Sequence, residues 1–238
     1  MRHFFLLIGF AFLLNVEAQK VDNLATFRDI KSDNYFRFNY ENDYFSGTDE
    51  NYTQGFSFEL VNPSLSKNPA NKLFPKLKNS FSKYGLAIEH NGFSPDDIRS
   101  KEIQFKDRPF AAAIMLRSFS ISTDTIKKTR IVSSLSTGII GPIAFGREMQ
   151  IGIHQVIDGA IPGGWRNQIE NDLVLNYELG YNKQVVHWKN LFLLEGNSRA
   201  KIGTYRTDAS LGITSALGLI NNPYSSKKKK FQLYIYAQ

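Results

Sequence analysis

Apolar and polar residues alternate with a period of two along much of this chain. Phe36, Phe38 and Tyr40 alternate with Arg37, Asn39 and Glu41, and Phe56, Phe58 and Leu60 alternate with Ser57 and Glu59. Tyr84, Leu86 and Ile88 do so against Gly85, Ala87 and Glu89, as do Leu173, Leu175, Tyr177 and Leu179 against Asp172, Asn176 and Glu178. Successive side chains of a strand point to opposite faces, so each run predicts a strand with one aromatic or aliphatic face and one polar face. Further strands are predicted at about 110–121, 130–139, 190–196, 200–206, 209–219 and 231–237, about nine or ten in all.

Strands of this kind fit a membrane barrel with lipid outside and a polar lumen, an all-β, antiparallel, up-and-down architecture. Alternation alone does not say whether the apolar face meets lipid or a second sheet, so a soluble sandwich has the same signature. Beyond the first residues no stretch approaches the roughly 18 apolar residues of a transmembrane helix, so a membrane-spanning form of this chain crosses as strands. The final strand pattern is still running at Tyr236-Ala237-Gln238. From this we expect a C-terminally incomplete barrel.

One segment breaks the period. From Ala144 to Asp158, Met149, Ile153, Val156 and Ile157 fall on one stripe at helical spacing, and Pro162-Gly163-Gly164 ends it. Gln150 and His154, four residues apart, then share a neighbouring face. In an antiparallel meander the first, third and fifth connections, residues 43–52, 92–109 and 140–170, gather at one rim. They carry Asp43, Asp107-Arg108-Pro109 and the Gln150/His154 helix. The second and fourth, residues 62–82 and 122–129, are rich in Lys, Asn, Ser and Thr and carry no convergent polar set.

Residues 1–18 read as a secretory signal, with Arg2 and His3 at a basic start, an apolar run from Phe4 to Leu14 and Val16-Glu17-Ala18 as the cleavage site. Residues 19–238 then form one exported barrel domain. The absence of cysteine excludes disulfides and thiolate chemistry. A formal charge of +7 with pI near 9.4 favours an anionic partner, although Lys227 to Lys230 supply more than half of that excess. Export disfavours nucleic acid and leaves a phosphorylated lipid surface, with a solvated lysine turn as the plainer reading of the run.

No Gly-x-Ser-x-Gly elbow and no His-Glu-x-x-His helix occurs. Of the four histidines, His3 lies in the signal and His187 in a predicted turn, which leaves His90 and His154. A set of spaced motifs singles out the second. Glu41-Asn42-Asp43, Thr48-Asp49-x-x-Tyr52-Thr53-x-Gly55, Asp107-Arg108-Pro109-Phe110-Ala111, Gly141-Pro142, Gly146-x-x-x-Gln150-x-x-x-His154 and Gly164-Trp165-x-x-Gln168-x-x-Asn171 occur in this order. Their order and spacing resemble the LpxR-type lipid A deacylases over roughly residues 35 to 180.

The resemblance implies an outer-membrane barrel of about twelve strands in a Gram-negative bacterium, with a short helix in an extracellular loop and a site facing the outer leaflet. It also implies a monomer that removes a 3'-O-linked acyloxyacyl chain from lipid A, the membrane anchor of lipopolysaccharide, and depends on Ca²⁺. His154 matches the family's general base, and Gln150, Asn42, Asp43 and Thr53 match the other polar residues of its site. Asn42 and Asp43 are the implied Ca²⁺ ligands, and Arg108, Lys101 and Trp165 are expected at the substrate. The family's site lysine has three candidate counterparts here, Arg99, Lys101 and Lys106.

Elementary chemistry is compatible with that assignment. Ester hydrolysis needs a base that titrates near neutrality, which imidazole supplies, and a positive group at the developing oxyanion. Carboxylate and amide oxygens are ligands that Ca²⁺ accepts. The same residues have plainer uses. Asn42-Asp43 suits a turn, Thr53 a strand start, Asp107-Arg108-Pro109 an ion-paired turn and Trp165 an interfacial anchor. The rival functions are a phospholipase-like esterase and a barrel that only binds or transports, with the helix as a lumen plug.

Overall fold

A computed structural model describes residues 30, 32–42, 54–220, 222, 224 and 233–237 of the chain. The signal region lies outside the described residues. Nine strands run in chain order through one antiparallel sheet: β1 Tyr35–Asn42, β2 Gln54–Val61, β3 Phe81–Phe93, β4 Ala111–Asp124, β5 Thr129–Ile140, β6 Asp172–Trp188, β7 Phe192–Gly203, β8 Asp208–Leu219 and β9 Leu233–Ala237. Among the described residues β1 and β9 are the two edges, so the meander is seen as a wall and not as a closed cylinder.

The strands expected at 190–196 and 200–206 are a single strand, β7, and β6 runs on through His187 where a turn was expected. Gly196-Asn197-Ser198 has the composition of a break. In the sheet Gly196 simply pairs with Lys183, opposite a β6 that is long enough to pair with the whole of β7, with one register shift between Gln184 and Val186. Length of the partner strand overrides the local turn propensity there.

The two faces of the sheet decide between lipid and a second sheet. On one face stand exposed apolar side chains such as Phe36, Phe58, Ile88, Leu116, Leu173 and Leu211, the last 87% exposed. On the other, charges are buried in pairs: Arg37 with Glu59 at 2.6 Å, Arg117 with Glu89 at 2.6 Å and Lys201 with Glu178 at 3.5 Å. A sandwich buries its apolar face, and this sheet does the opposite. Buried charge is tolerable only when paired, and the antiparallel register supplies the pairing directly, with Arg37 opposite Glu59 and Glu178 opposite Lys201.

The polar face is concave. Tyr205, in the turn after β7, hydrogen-bonds the side chain of Asn91 on β3 and stands near Glu89 of β3 and Arg117 of β4, across the lumen. Burial there pushes its phenol up to about 12. Phe119 fills part of the interior over Gly85, where a Cβ would come within 2.1 Å of the ring. Any side chain at Gly85 would displace that plug.

Strand direction sorts the connections onto two rims. Among the described residues, 94–110, 141–171 and 204–207 share one, and 62–80, 125–128 and 189–191 share the other. The expected grouping of the third and fifth connections is therefore the observed one, and the first, residues 43–52, lies outside the described residues.

Candidate functional site

The only long helix among the described residues, α1 Gly146–Val156, lies in the connection between β5 and β6. The chain leaves β5 through Gly141, whose φ of 114° and close approach to the Glu170 and Asn171 backbones exclude a side chain. Pro142 starts a short 3₁₀ turn, and the Asn171 side chain accepts from the Ile143 amide at 3.0 Å. Phe145 then takes a left-handed conformation, φ 49°, and α1 begins. Both ends of the long connection are thus clamped together before the helix starts.

The helix rests on the outer face of the wall. A Cβ on Gly146 would lie 2.3 Å from the Ala112 Cβ and 2.7 Å from the Trp165 ring, so glycine is what lets α1 touch β4. Ala112 alternates in phase with Ile114 and the exposed Leu116, which puts the contact outside the lumen. The alternative of a helical lumen plug is overturned by this packing. The helix is slightly shorter than the expected Ala144 to Asp158, and its expected apolar stripe is not the buried one. Gly146 and Gln150 are buried, whereas Val156 and Ile157 are exposed. The usual sense of an amphipathic helix is reversed, and polar Gln150 faces protein.

Gln150 is 1% exposed and fully engaged. Its Nε2 donates to Ser94 Oγ at 3.0 Å, and its Oε1 accepts from Trp165 Nε1 at 2.7 Å. Ser94 follows β3, and Trp165 sits in a 3₁₀ turn after the helix, buried with Ile98, Phe110, Ala112 and Ala144. One side chain therefore ties the helix to two other segments of the rim. Arg166 and Asn167 extend the same junction by donating to the Lys101 carbonyl at 3.0 Å.

His154 stands one turn further along, half-buried, with Nδ1 2.6 Å from the Ala160 carbonyl. A carbonyl only accepts, so the neutral ring carries its proton on Nδ1 and keeps a lone pair on Nε2. The chain folds back to place that carbonyl through Asp158, at φ 54°, and Gly159, whose amide donates to the His154 carbonyl at 2.8 Å. A Cβ on Gly159 would lie 3.1 Å from His154 Nδ1. The imidazole is thus held by backbone on its δ side.

His90, on the outer face of β3, is wholly buried beneath the start of the helix. Its ring stacks between Phe56 at 5.2 Å and Phe145 at 4.9 Å, and Nε2 donates to the Ala144 carbonyl at 2.8 Å. It pins the wall to the residue from which α1 departs. His90→Leu keeps bulk but strands a carbonyl acceptor, and should lower stability by about 1–3 kcal/mol. Urea unfolding in detergent measures this, and an unchanged midpoint would remove His90 from the clamp.

The remaining sequence-derived residues are placed to differing degrees. Asn42, positioned by its backbone, pairs with Gln54, which pairs with Gly92, which pairs with Ala112, so it shares one row of the sheet with the residue under Gly146. Asp43 and Thr53 lie outside the described residues. Arg108 and the exposed Lys101 stand on the same rim, in the connection from β3 to β4. Gln150, Trp165 and His154 are brought together on one junction, with direct contact between the first two. Ser94, the Ala160 carbonyl and the contact of His90 with Ala144 escaped sequence reasoning, since only the fold makes them neighbours of the helix. No group of three or more His, Asp or Glu side chains suited to a metal occurs among the described residues. The metal expectation therefore rests on the oxygen donors of Asn42 and Asp43, whose chemistry suits a hard cation.

The sequence model of a family described as outer membrane protein LpxR matches residues 5–238. The solved structure of LpxR from Salmonella typhimurium is similar with a TM-score of 0.59 at 22% identity, covering 71% of this chain and 53% of that one. This chain spans about half the length of that protein. No curated protein matches the chain.

Proposed function

Because the chain belongs to the LpxR family of outer-membrane proteins, we propose that it is a lipid A deacylase, hydrolysing a 3'-O-linked acyloxyacyl ester at the outer leaflet. The observation that carries this reading is the hydrogen bond between His154 Nδ1 and the Ala160 carbonyl. A ring held at Nδ1 by the Ala160 carbonyl presents Nε2 as a base, on a helix seated against the lipid-facing side of the wall. A lumen-facing base would meet solutes. A base on the outer face at a rim meets lipid.

In this reading Nε2 takes a proton from a water, the resulting hydroxide adds to the ester carbonyl, and the tetrahedral adduct expels the sugar alkoxide. The imidazolium returns its proton to that leaving oxygen, so the ring ends as it began. Asn42 and Asp43 would hold Ca²⁺, which supplies positive charge for the oxyanion when bound. Thr53 is the hydrogen-bond donor to substrate. Lys101 and Arg108 bind the phosphorylated sugar, and the buried Trp165 holds α1 in place through its bond to Gln150.

Mass spectrometry of lipid A incubated with the full-length protein tests the reading through loss of one acyloxyacyl unit. Loss of a chain from glycerophospholipid instead would identify a phospholipase-like esterase. Chelation of divalent cations is expected to stop acyl release and re-addition of Ca²⁺ to restore it. Undiminished turnover in chelator would remove the metal from Asn42 and Asp43.

A further inference from the structure

The rim opposite the candidate site has a charge composition unlike any other part of the molecule. Its three fully described connections, residues 62–80, 125–128 and 189–191, contain four, two and one lysines and not one Asp or Glu. The site rim, in its described residues 94–110, 141–171 and 204–207, carries seven acidic and seven basic residues. Of the seven lysines at described positions in the first three basic connections, six are exposed and Lys128 is half-buried. The nearest acid, Asp124, is buried and its Oδ1 is occupied by the amides of Ile126 and Lys127.

Exposed apolar side chains are interleaved with these cations. Ile126, 80% exposed, precedes Lys127; Leu73 follows Lys72; and Trp188 precedes Lys189, whose Nζ lies 5.3 Å from the Trp188 ring centroid. Lys76 Nζ sits 5.1 Å from the Tyr84 ring centroid at the foot of β3. In water this pattern wastes apolar surface. At a lipid interface it places the aliphatic and aromatic groups at the acyl boundary and the ammonium groups at the phosphates.

We propose that this rim is a binding surface for anionic phospholipid headgroups of the leaflet it meets, the lysines pairing with phosphodiesters of phosphatidylglycerol type. A polyanion or acidic protein would satisfy the lysines but leave Leu73, Ile126 and Trp188 without a partner. The two tightest connections, of four and three residues, keep Lys127 and Lys189 within a side chain's reach of the strand ends, at headgroup depth. The inference uses the membrane setting of the family and not the deacylase reading.

The test is lipid retention by the full-length protein. The protein is reconstituted in an equal mixture of phosphatidylcholine and phosphatidylglycerol with identical acyl chains, extracted in mild detergent, and its bound lipid quantified by mass spectrometry. Wild type should retain phosphatidylglycerol in excess by about threefold or more, and a wash in about 1 M salt should erase the excess. The combined K72Q/K76Q/K127Q/K189Q variant should retain the two lipids at their input ratio, with acyl release from lipid A unchanged from wild type. Wild type at the input ratio, a quadruple variant that still selects the anionic lipid, or selection that survives high salt each overturns the proposal. So does binding of wild type but not the variant to peptidoglycan without any lipid selection. If the variant yields no folded barrel, the salt wash on wild type decides alone.

Discussion

His154→Ala is expected to abolish acyl release while leaving the wall intact. The ring contributes one hydrogen bond to the Ala160 carbonyl from a half-buried position, so its loss disturbs packing little. Its Nε2, by contrast, is the base that the proposed reaction depends on, and removal of a positioned general base lowers turnover by about 10²–10⁴-fold. His154→Asn adds a sharper comparison, because an amide can keep the Ala160 contact and still cannot accept a proton near neutrality. Both variants should show the heat-modifiable migration of a folded barrel with no released acyl chain by mass spectrometry. Release at the wild-type rate by either one would end the assignment of His154.

The division between what the sequence makes visible and what it hides follows from the range of the forces involved. Strand positions were legible because each residue of a barrel wall reports its own face: Phe36 and Phe38 face out, and Arg37 pairs inward with Glu59, whatever the rest of the chain does. The gathering of the odd connections at one rim followed from antiparallel order alone. Periodicity also found the helix, but it misjudged which side is buried. The usual rule assumes water outside, and Gly146 and Gln150 face protein here while Val156 and Ile157 do not. The split of β7 into two strands came from weighting Gly196 and its neighbours over the unbroken partner strand.

The site shows the same boundary. His154 and Gln150 were visible through their spacing and a resemblance, since four residues on a helix fix a shared face. Their partners were not. Ser94 is 56 residues from Gln150 and His90 is 54 from Ala144, and nothing local marks a serine after a strand or a backbone carbonyl as a contact of a distant helix. Trp165 was singled out as a substrate contact, and its indole N–H is instead spent on Gln150, with its ring among buried apolar side chains. Long-range hydrogen bonds of this sort carry no sequence period, so they appear only with the fold.

Gln150 is therefore expected to act as a latch, and the prediction separates this from the role of orienting water beside His154. Gln150→Leu is close in volume but leaves the buried Trp165 N–H without its partner, at a cost of about 1–3 kcal/mol. Trp165→Phe removes the same bond from the other side and leaves Gln150 Oε1 unpaired. If the bond is what matters, each single variant loosens α1 against β4, and a displacement of about 1 Å at His154 is enough to lower turnover by about 100-fold. The double variant should then lose less than the sum of the two, with a coupling of about 0.5–3 kcal/mol in both urea unfolding and turnover. A water-orienting Gln150 predicts another outcome: Gln150→Leu alone silences the enzyme, Trp165→Phe is mild, and the two effects add. Additivity in turnover would sink the latch and return the glutamine to the reacting atoms.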